Sequence, residues 1–299
     1  MRRWSFAKGH GTHNDFVVLL DRESMLDVGP SEVRFICDRR GGIGADGLLR
    51  AVLAKHIDGW TGDGALWFMD YRNADGSIAE MCGNGLRVFM RFLLDQGLVN
   101  GPVVRIATRS GLREATLLPD GRIRVSMGSV AIGTRLVVVS TADGAEFKAV
   151  TADVGNPHAV SFADSLDELS LHAPPRWDPP EDFPYGVNLE FVRRLGPQHI
   201  AMRVYERGVG ETCSCGTGTV AAAAAARFHD QDQTALPVTY QVDTPGGTVE
   251  VELTDRGAYL TGPAVLVAHG ELALPDRVDL ETIHRLTFTA SGRDRKSVV

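Results

Sequence analysis

The sequence predicts an α/β (α+β) protein of two pseudo-symmetric domains. Each is a twisted, mostly antiparallel sheet wrapped around a central helix, with the candidate active site in the cleft between them. Three observations predict this. A Cys-Gly-x-Gly segment occurs twice, as MCGNG at 81–85 and SCGTG at 214–218. Each copy follows a strand-like run and opens a helical stretch. No alternating βαβ pattern runs through the chain, which sets aside Rossmann and TIM-barrel architectures.

The internal repeat carries most of the weight. ALWFMDYR at 65–72 precedes the first segment and HIAMRVYE at 199–206 precedes the second. Cys215 lies 133 residues beyond Cys82, and at that same offset Asn73 matches Glu206. Downstream, Thr108, Gly111, Glu114, Leu117 and Gly121 recur as Thr244, Gly247, Glu250, Leu253 and Gly257, each 136 residues later. GHGTHNDF at 9–16 has a looser echo in DVGNPHAV at 153–160. An ordered series of strand, Cys-Gly-x-Gly, helix and β-rich tail reads as duplication.

The elements follow in order. FVVLL at 16–20 is a short β-type run, and EVRFICDRR at 32–40 reads as a helix that places Cys37 in the core. GLRVFMRFLLDQG at 85–97 is the first repeat helix. VVRIAT at 103–108 and RIRVSMG at 122–128 are strands ending in turn residues. A linker is expected within 130–150, where SVAIG gives way to STADGAEF. TVAAAAAARFHD at 219–230 is the second repeat helix, with the highest helix propensity in the chain and side chains small enough for close packing all round. TVEVEL at 248–253 matches the β-rich tail of the first half. The domains are therefore read as 1–135 and 136–275, followed by a C-terminal segment, 276–299, ending in the polar, frayed tail SGRDRKSVV.

Composition bounds the function classes. With 299 residues, 43% of them hydrophobic, the chain can bury a full core without disulfides or metal. A net charge of −7 and the lack of a basic stripe argue against nucleic acid or an anionic membrane surface as partner. No apolar run reaches the roughly 18 residues of a membrane span. Met1–His10 lacks the apolar middle of a signal peptide, so a cytoplasmic location is expected. The four cysteines, Cys37, Cys82, Cys213 and Cys215, are too few for a disulfide scaffold and lack zinc-site spacing, so no metal is expected. No lysine stands in a pyridoxal context, so no cofactor is expected either.

The duplicated loops suggest their own chemistry. A cysteine just before a helix has its thiolate stabilised by free backbone N–H groups and the helix dipole. Adjacent glycines let the backbone approach an anion. If the halves face each other, two thiols meet across a cleft and two helix starts converge on one anion, for which an amino-acid carboxylate is a natural guest. Racemising an amino acid needs a base on one face of the α-carbon and an acid on the other. Preorganised N–H dipoles and exclusion of water would stabilise the carbanion. The repeat aligns Cys82 with Cys215 and not with Cys213, two residues earlier, so Cys213 is not expected to substitute for Cys215.

Longer motifs extend this reading. GHGTHNDFVVL at 9–19, RRGGIGADGL at 39–48, YRNADGSIAEMCGNGLRVF at 71–89, GNPH at 155–158, GVNLEF at 186–191 and YERGVGETCSCGTGTVAAA at 205–223 resemble diaminopimelate epimerases, in order and over nearly the whole chain. The resemblance implies interconversion of LL- and meso-diaminopimelate, in lysine and cell-wall precursor synthesis, by Cys82 and Cys215 as acid–base pair. It implies substrate contacts from Asn14, Asn73, Asn156, Asn188, Glu206 and Arg207, and a carboxylate held by the N–H groups of Gly83, Asn84, Gly216 and Thr217. It also implies a homodimer. Arg207 suits a bidentate grip on the distal carboxylate, Glu206 an ammonium, and asparagine either kind of group. Asn14 and Asn156 equally suit turn or cap roles. His158 is read either as acid–base support, bonded near Glu206, or as a structural histidine. Some relatives place a glutamine contact where this chain has Gly47. Two rivals remain: a proline or hydroxyproline racemase-type enzyme, and a thiol redox or metal-binding protein. The second charged end implied by Glu206–Arg207 disfavours the first, and the missing C-x-x-C disfavours the other.

Overall fold

The computed structural model describes residues 1–276. In chain order the first part holds β1 (Arg2–Gly11), β2 (Asn14–Leu20), α1 (Pro30–Cys37), β3 (Gly47–Leu53), β4 (Trp67–Asn73), α2 (Gly83–Asp95), β5 (Val103–Thr108), β6 (Gly111–Leu117), β7 (Ile123–Gly128) and β8 (Ala131–Ser140). The second holds β9 (Glu146–Asp153), β10 (Pro157–Phe162), β11 (Arg176–Asp178), β12 (Asn188–Gly196), β13 (His199–Glu206), β14 (Gly210–Thr212), α3 (Gly216–His229), β15 (Val238–Thr244), β16 (Gly247–Thr254), β17 (Gly257–Gly262) and β18 (Val265–Leu274).

Strand pairing repeats as the sequence does. From β1 to β7 each strand pairs with the next, β2–β3 and β4–β5 in parallel and the rest antiparallel. The second part copies this pattern: β10–β12 and β13–β15 are parallel, while β9–β10, β12–β13, β15–β16 and β16–β17 are antiparallel. Even the hairpins match. Thr108 Oγ1 donates to the Gly111 carbonyl at 2.7 Å, and its counterpart Thr244 Oγ1 donates to the Gly247 carbonyl at 2.8 Å.

The two sheets are joined by β7–β17 and by an exchange of final strands. β18 crosses back to pair with β1, and β8 crosses forward to pair with β9. The 130–150 stretch expected to be a linker is therefore the β8–β9 hairpin, and the boundary expected after residue 135 falls inside β8. Its valines explain the difference: Val137 and Val139 are fully buried on one face and so need a partner sheet.

Each repeat helix lies inside its sheet. α2 packs against β1, β2, β3, β4, β6 and β7 and the borrowed β18; α3 packs against β9, β10, β12, β13, β15, β16 and β17 and the borrowed β8. Ala221–Ala226 are all buried, because only methyl groups leave room for strands on every side of α3. α2 instead buries Leu86, Val88, Phe89, Met90, Phe92 and Leu93, each stabilising by about 1.5–3 kcal/mol. α1 covers the outer face of the first sheet, with Val33, Ile36 and Cys37 against Val17, Leu19, Leu48, Leu272 and Leu274. It ends at Cys37 rather than at residue 40, because the Asp38 carboxylate turns back to accept the Arg40 and Gly41 N–H groups at 2.8 and 2.5 Å. The expected frayed tail lies outside the described residues. Among the described residues no helix is long and apolar enough to cross a membrane.

Candidate active site

Cys82 and Cys215 are themselves the N-caps of α2 and α3. The Cys82 Sγ accepts the Gly85 N–H at 3.4 Å, and the Cys215 Sγ accepts the Gly218 N–H at 3.4 Å. The helices thus begin at Gly83 and Gly216, a little earlier than the sequence reading placed them, and the N–H groups of their first turns lack intrahelical partners. The two starts abut. A Cβ on Gly216 would lie 3.1 Å from the Cα and N of Gly83 and 3.2 Å from the N of Asn84. A Cβ on Gly83 would meet the Met127 Sδ at 2.9 Å. Only glycine allows two helix N-termini to converge this closely.

Around Cys82, Asn84 Nδ2 donates to the Asn14 Oδ1 at 3.2 Å and to the Ser214 carbonyl at 3.0 Å, tying α2 to the loop before Cys215. The Cys82 thiol points at the same Asn14 oxygen at 3.7 Å, and Asn14 Nδ2 is anchored on Asp46 at 2.9 Å. Around Cys215, the Thr217 Oγ1 stands 3.5 Å from the sulfur and accepts the Asn156 Nδ2 at 3.3 Å. The Asn156 Oδ1 lies 2.9 Å from His158 Nε2. The other ring nitrogen of His158 is 2.7 Å from Glu190, and both side chains are fully buried. His158 therefore bonds Glu190, not the region of Glu206. Its strand, β10, runs beside β12 with His158 opposite Asn188, so the ring meets a β12 side chain first.

Burial sets the protonation preferences. It pushes the Cys82 thiol up to about 11 and the Cys215 thiol well up, with the carboxylates of Glu206 and Glu190 adding to the latter. Burial also raises Glu206, against the hydrogen bonds it accepts from Thr212, at 2.5 Å, and Cys215.

Other expected contacts are turned elsewhere. The Asn73 amide donates to Ser77 Oγ at 3.0 Å within its own turn. The Asn188 side chain is taken up by backbone, donating to the Pro157 carbonyl at 3.1 Å and accepting the Arg207 N–H at 3.0 Å. The Arg207 guanidinium is exposed and bends over Gly186 toward the Tyr185 carbonyl at 3.5 Å. Cys213 is exposed and Cys215 buried. Residues two apart in a straight extended segment would share a face, and it is the bend at Cys213, between β14 and the start of α3, that separates them.

Three residues escaped the sequence reading: Tyr71, Arg87 and Glu190. Tyr71 lies within the electrostatic reach of both cysteines and of Glu206, its ring edge-on to Phe16 at 5.9 Å. Two of them carried a signal, since Tyr71 and Glu190 sit two residues from Asn73 and Asn188 on β4 and β12 and so share their faces. Arg87 and Arg91 are the two charges within an otherwise apolar helix stretch at 86–94.

The fold and the paired, cysteine-capped helices define a two-lobed protein of the racemase and epimerase class. Solved structures share that fold: a phenazine biosynthesis protein of the PhzF family from Bacillus anthracis has a TM-score of 0.70 at 15% identity, over 92% of this chain and 100% of that one. A hydroxyproline epimerase from Agrobacterium vitis, with bound trans-4-hydroxy-L-proline, has a TM-score of 0.64 at 16% identity, over 93% of this chain and 94% of that one. Sequence comparison is sharper. The family described as diaminopimelate epimerase matches residues 6–133 and 150–267. The diaminopimelate epimerase of Streptomyces coelicolor is 48% identical over 277 residues, covering 90% of this chain and 95% of the relative. That of Corynebacterium glutamicum is 47% identical over 280 residues, covering 90% and 98%. The chain belongs to the diaminopimelate epimerase family.

Proposed function

We propose that the chain interconverts LL- and meso-diaminopimelate in lysine biosynthesis, with Cys82 and Cys215 as the two acid–base groups and no cofactor. One observation carries the reading: two thiols at pseudo-equivalent positions each cap a helix start, and the two starts touch through Gly83 and Gly216. The reacting carboxylate lies between them, held by the N–H groups of Gly83, Asn84, Gly216 and Thr217 and by both helix dipoles. One sulfur, as thiolate, takes the α-proton. The other, as thiol, returns a proton to the opposite face, so the negative charge passes from one sulfur to the other. The dipoles at the carboxylate stabilise the carbanion between the two steps.

Further contacts follow from chemistry. Glu206 lies beside Cys215, where its carboxylate pairs with the substrate ammonium. Arg207 swings inward from Gly186 to grip the distal carboxylate as the lobes close, its backbone already anchored by Asn188. Asn14, Asn73, Asn156 and Asn188 complete the polar lining, and His158 acts through Asn156 and Thr217. The two lobes serve as functional halves, each supplying one thiol. A homodimer in the cytoplasm is the expected form, to be checked by light scattering and by fractionation.

The test is Cys82→Ala and Cys215→Ala, assayed in deuterium oxide for label entering the α-carbon of LL-diaminopimelate. Each variant should fold normally and lose at least about 10²-fold in turnover, the usual scale of acid–base catalysis. Near-normal turnover in either refutes the assignment, and Cys213→Ala serves as the mild control.

A further inference from the structure

The two thiols occupy matched loops but unmatched electrostatic surroundings. Arg87, in the second turn of α2, is completely buried. Its Nε donates to the Pro263 carbonyl at 3.2 Å and its Nη2 to the Thr12 hydroxyl at 3.1 Å. Both acceptors are neutral, and Nη1 has no hydrogen-bond partner. Among the described residues no carboxylate pairs with it. A buried cation in that position is costly unless something answers its charge. The ionisable group its field reaches is Cys82.

The guanidinium is also fixed in place. A Cβ on Gly11 would lie 3.0 Å from Nη2, and one on Gly262 would lie 3.3 Å from Cζ, so glycines close on it from two sides. Thr12, which accepts from it, donates to Ser214 Oγ at 2.9 Å, next to Cys215. Yet the matching position in the second half, 133 residues on, is Val220, which is buried and uncharged. Acids stand around Cys215 instead. The Glu190 Oε1 is so close to α3 that a Cβ on Gly218 would lie 2.5 Å from it.

We infer that Arg87 is a positioning residue of the reaction: a fixed, buried counter-charge that places the negative charge of the cysteine pair on Cys82 in the free enzyme and leaves Cys215 as the thiol. This rests on the reading of the two cysteines as the acid–base pair. The charged and titratable groups facing Cys82 are Arg87 from α2, Glu206 from β13 and Tyr71 from β4; those facing Cys215 are Glu206, Glu190 from β12 and Tyr71. Arg87 is the difference in sign. Burial raises both thiols and Glu206 raises both as well; Glu190 acts on Cys215 and Arg87 on Cys82, in opposite senses. From that charge state of the free enzyme the first step breaks the substrate's Cα–H bond and forms an S–H bond at Cys82, and the second breaks the S–H bond at Cys215 and forms a Cα–H bond on the opposite face. The proton must be redistributed before the next turnover in the same direction.

The experiment is alkylation with iodoacetamide across a pH series, read cysteine by cysteine by peptide mapping, on the wild type, Arg87→Met and Arg87→Lys. Thermal melts and kcat/KM are recorded in parallel. In the wild type Cys82 should be labelled at lower pH than Cys215. Methionine removes a charge that has no acidic partner but also leaves the Pro263 carbonyl and the Thr12 hydroxyl without their donor, so Arg87→Met should fold and melt a few degrees lower than the wild type. Its Cys82 profile should move up by about one pH unit, a shift in the range expected for charges about two helical turns apart. Its kcat/KM should fall about tenfold, since one pH unit of thiolate population is one decade of active base. Lysine should restore much of both. A folded Arg87→Met protein with an unchanged Cys82 profile overturns the inference. If that variant fails to fold, earlier labelling of Cys215 than of Cys82 in the wild type overturns it instead. Labelling needs no turnover, so this failure is distinct from that of the two-cysteine mechanism, which Cys82→Ala and Cys215→Ala test directly.

Discussion

A single methyl group at Gly216 tests whether contact between the two helix starts matters. An alanine Cβ there would lie 3.1 Å from the Cα and N of Gly83 and 3.2 Å from the N of Asn84. Relaxed contacts between carbon atoms lie at roughly 3.5–4.0 Å, so the first turns of α2 and α3 must separate by about half an ångström. All the opposing atoms are backbone, and no side chain can rotate away to make room. For stability, alanine regains about 0.5–1 kcal/mol of helix propensity, while overpacking costs about 1–3 kcal/mol. The net destabilisation is about 0–2.5 kcal/mol, a few degrees of Tm in a chain this long. Activity should suffer more. The same displacement pulls apart the N–H groups of Gly83, Asn84, Gly216 and Thr217, so one carboxylate no longer meets both helix ends. Misplacement by 1 Å can cost about 10²-fold, so the expected loss in kcat/KM for LL-diaminopimelate is about 10–100-fold. The assay is deuterium uptake at the α-carbon, with kcat and KM resolved separately and Tm recorded alongside. Wild-type kcat/KM in a Gly216→Ala enzyme would falsify the shared cradle.

Two further predictions concern buried acids. Glu190→Gln removes one of the two carboxylates that raise Cys215, so the alkylation profile of Cys215 should move to lower pH; a profile that stays put contradicts the electrostatic coupling of Glu190 to Cys215. The variant should also melt a few degrees lower, because the His158 ring loses a charged partner in a fully buried site. Cys37 offers a test of linkage. Burial pushes its thiol up to about 12 from an ordinary 9.0, so its contribution to stability is complete below pH 9 and is lost as pH climbs toward 12. Between pH 9 and 11, Cys37→Ala should show a shallower fall in Tm than the wild type, and equal slopes would contradict the burial.

What could be read from the chain followed periodicity and punctuation. The duplication, the three α-helices and the strands around the two repeat loops lay in patterns of turn residues and apolar spacing. VVRIAT and HIAMRVYE coincide with β5 and β13. The helix starts were placed late because capping by cysteine sulfur, not a side-chain oxygen, extends α2 and α3 back to Gly83 and Gly216. The exchange of β8 and β18 was hidden for a different reason: a strand's sequence records that it has a buried face, not which sheet covers it. The same holds for buried charge. Arg87 looks like an ordinary surface residue on a helix until Gly11 of β1 and Gly262 of β17 close over it. Glu190 looks like a solvated strand position until α3 is laid across β12. His158 was assigned the wrong acid because a parallel neighbour two strands away in sequence cannot be seen from the order of motifs.

The departures from symmetry follow from the substrate. An α-carbon carries a carboxylate, an ammonium, a side chain and the hydrogen to be moved. In the proposed mechanism two of these suit a two-fold frame: the carboxylate on the axis, at the paired helix starts, and the hydrogen on either side, facing Cys82 or Cys215. The ammonium and the side chain do not, because they differ in charge and length. A faithful duplicate would offer each lobe the same partners and could not hold one substrate in one orientation. The chain breaks the symmetry where those two groups must go. Asn73 on β4 becomes Glu206 on β13, a neutral amide on one side and, on the proposed reading, an acid for the ammonium on the other. That added acid lies beside Cys215 and disfavours a thiolate there, as Glu190 does behind it. Recognition of an asymmetric ligand thus forces an asymmetric pair of thiols, and a cation on the opposite side is the cheapest way to keep one of them basic. If this reasoning is right, Glu206→Gln should lower the alkylation pH of Cys215 while also raising KM. A rise in KM with no change at Cys215 would separate the two roles and leave Arg87 and Glu190 as the sources of the difference.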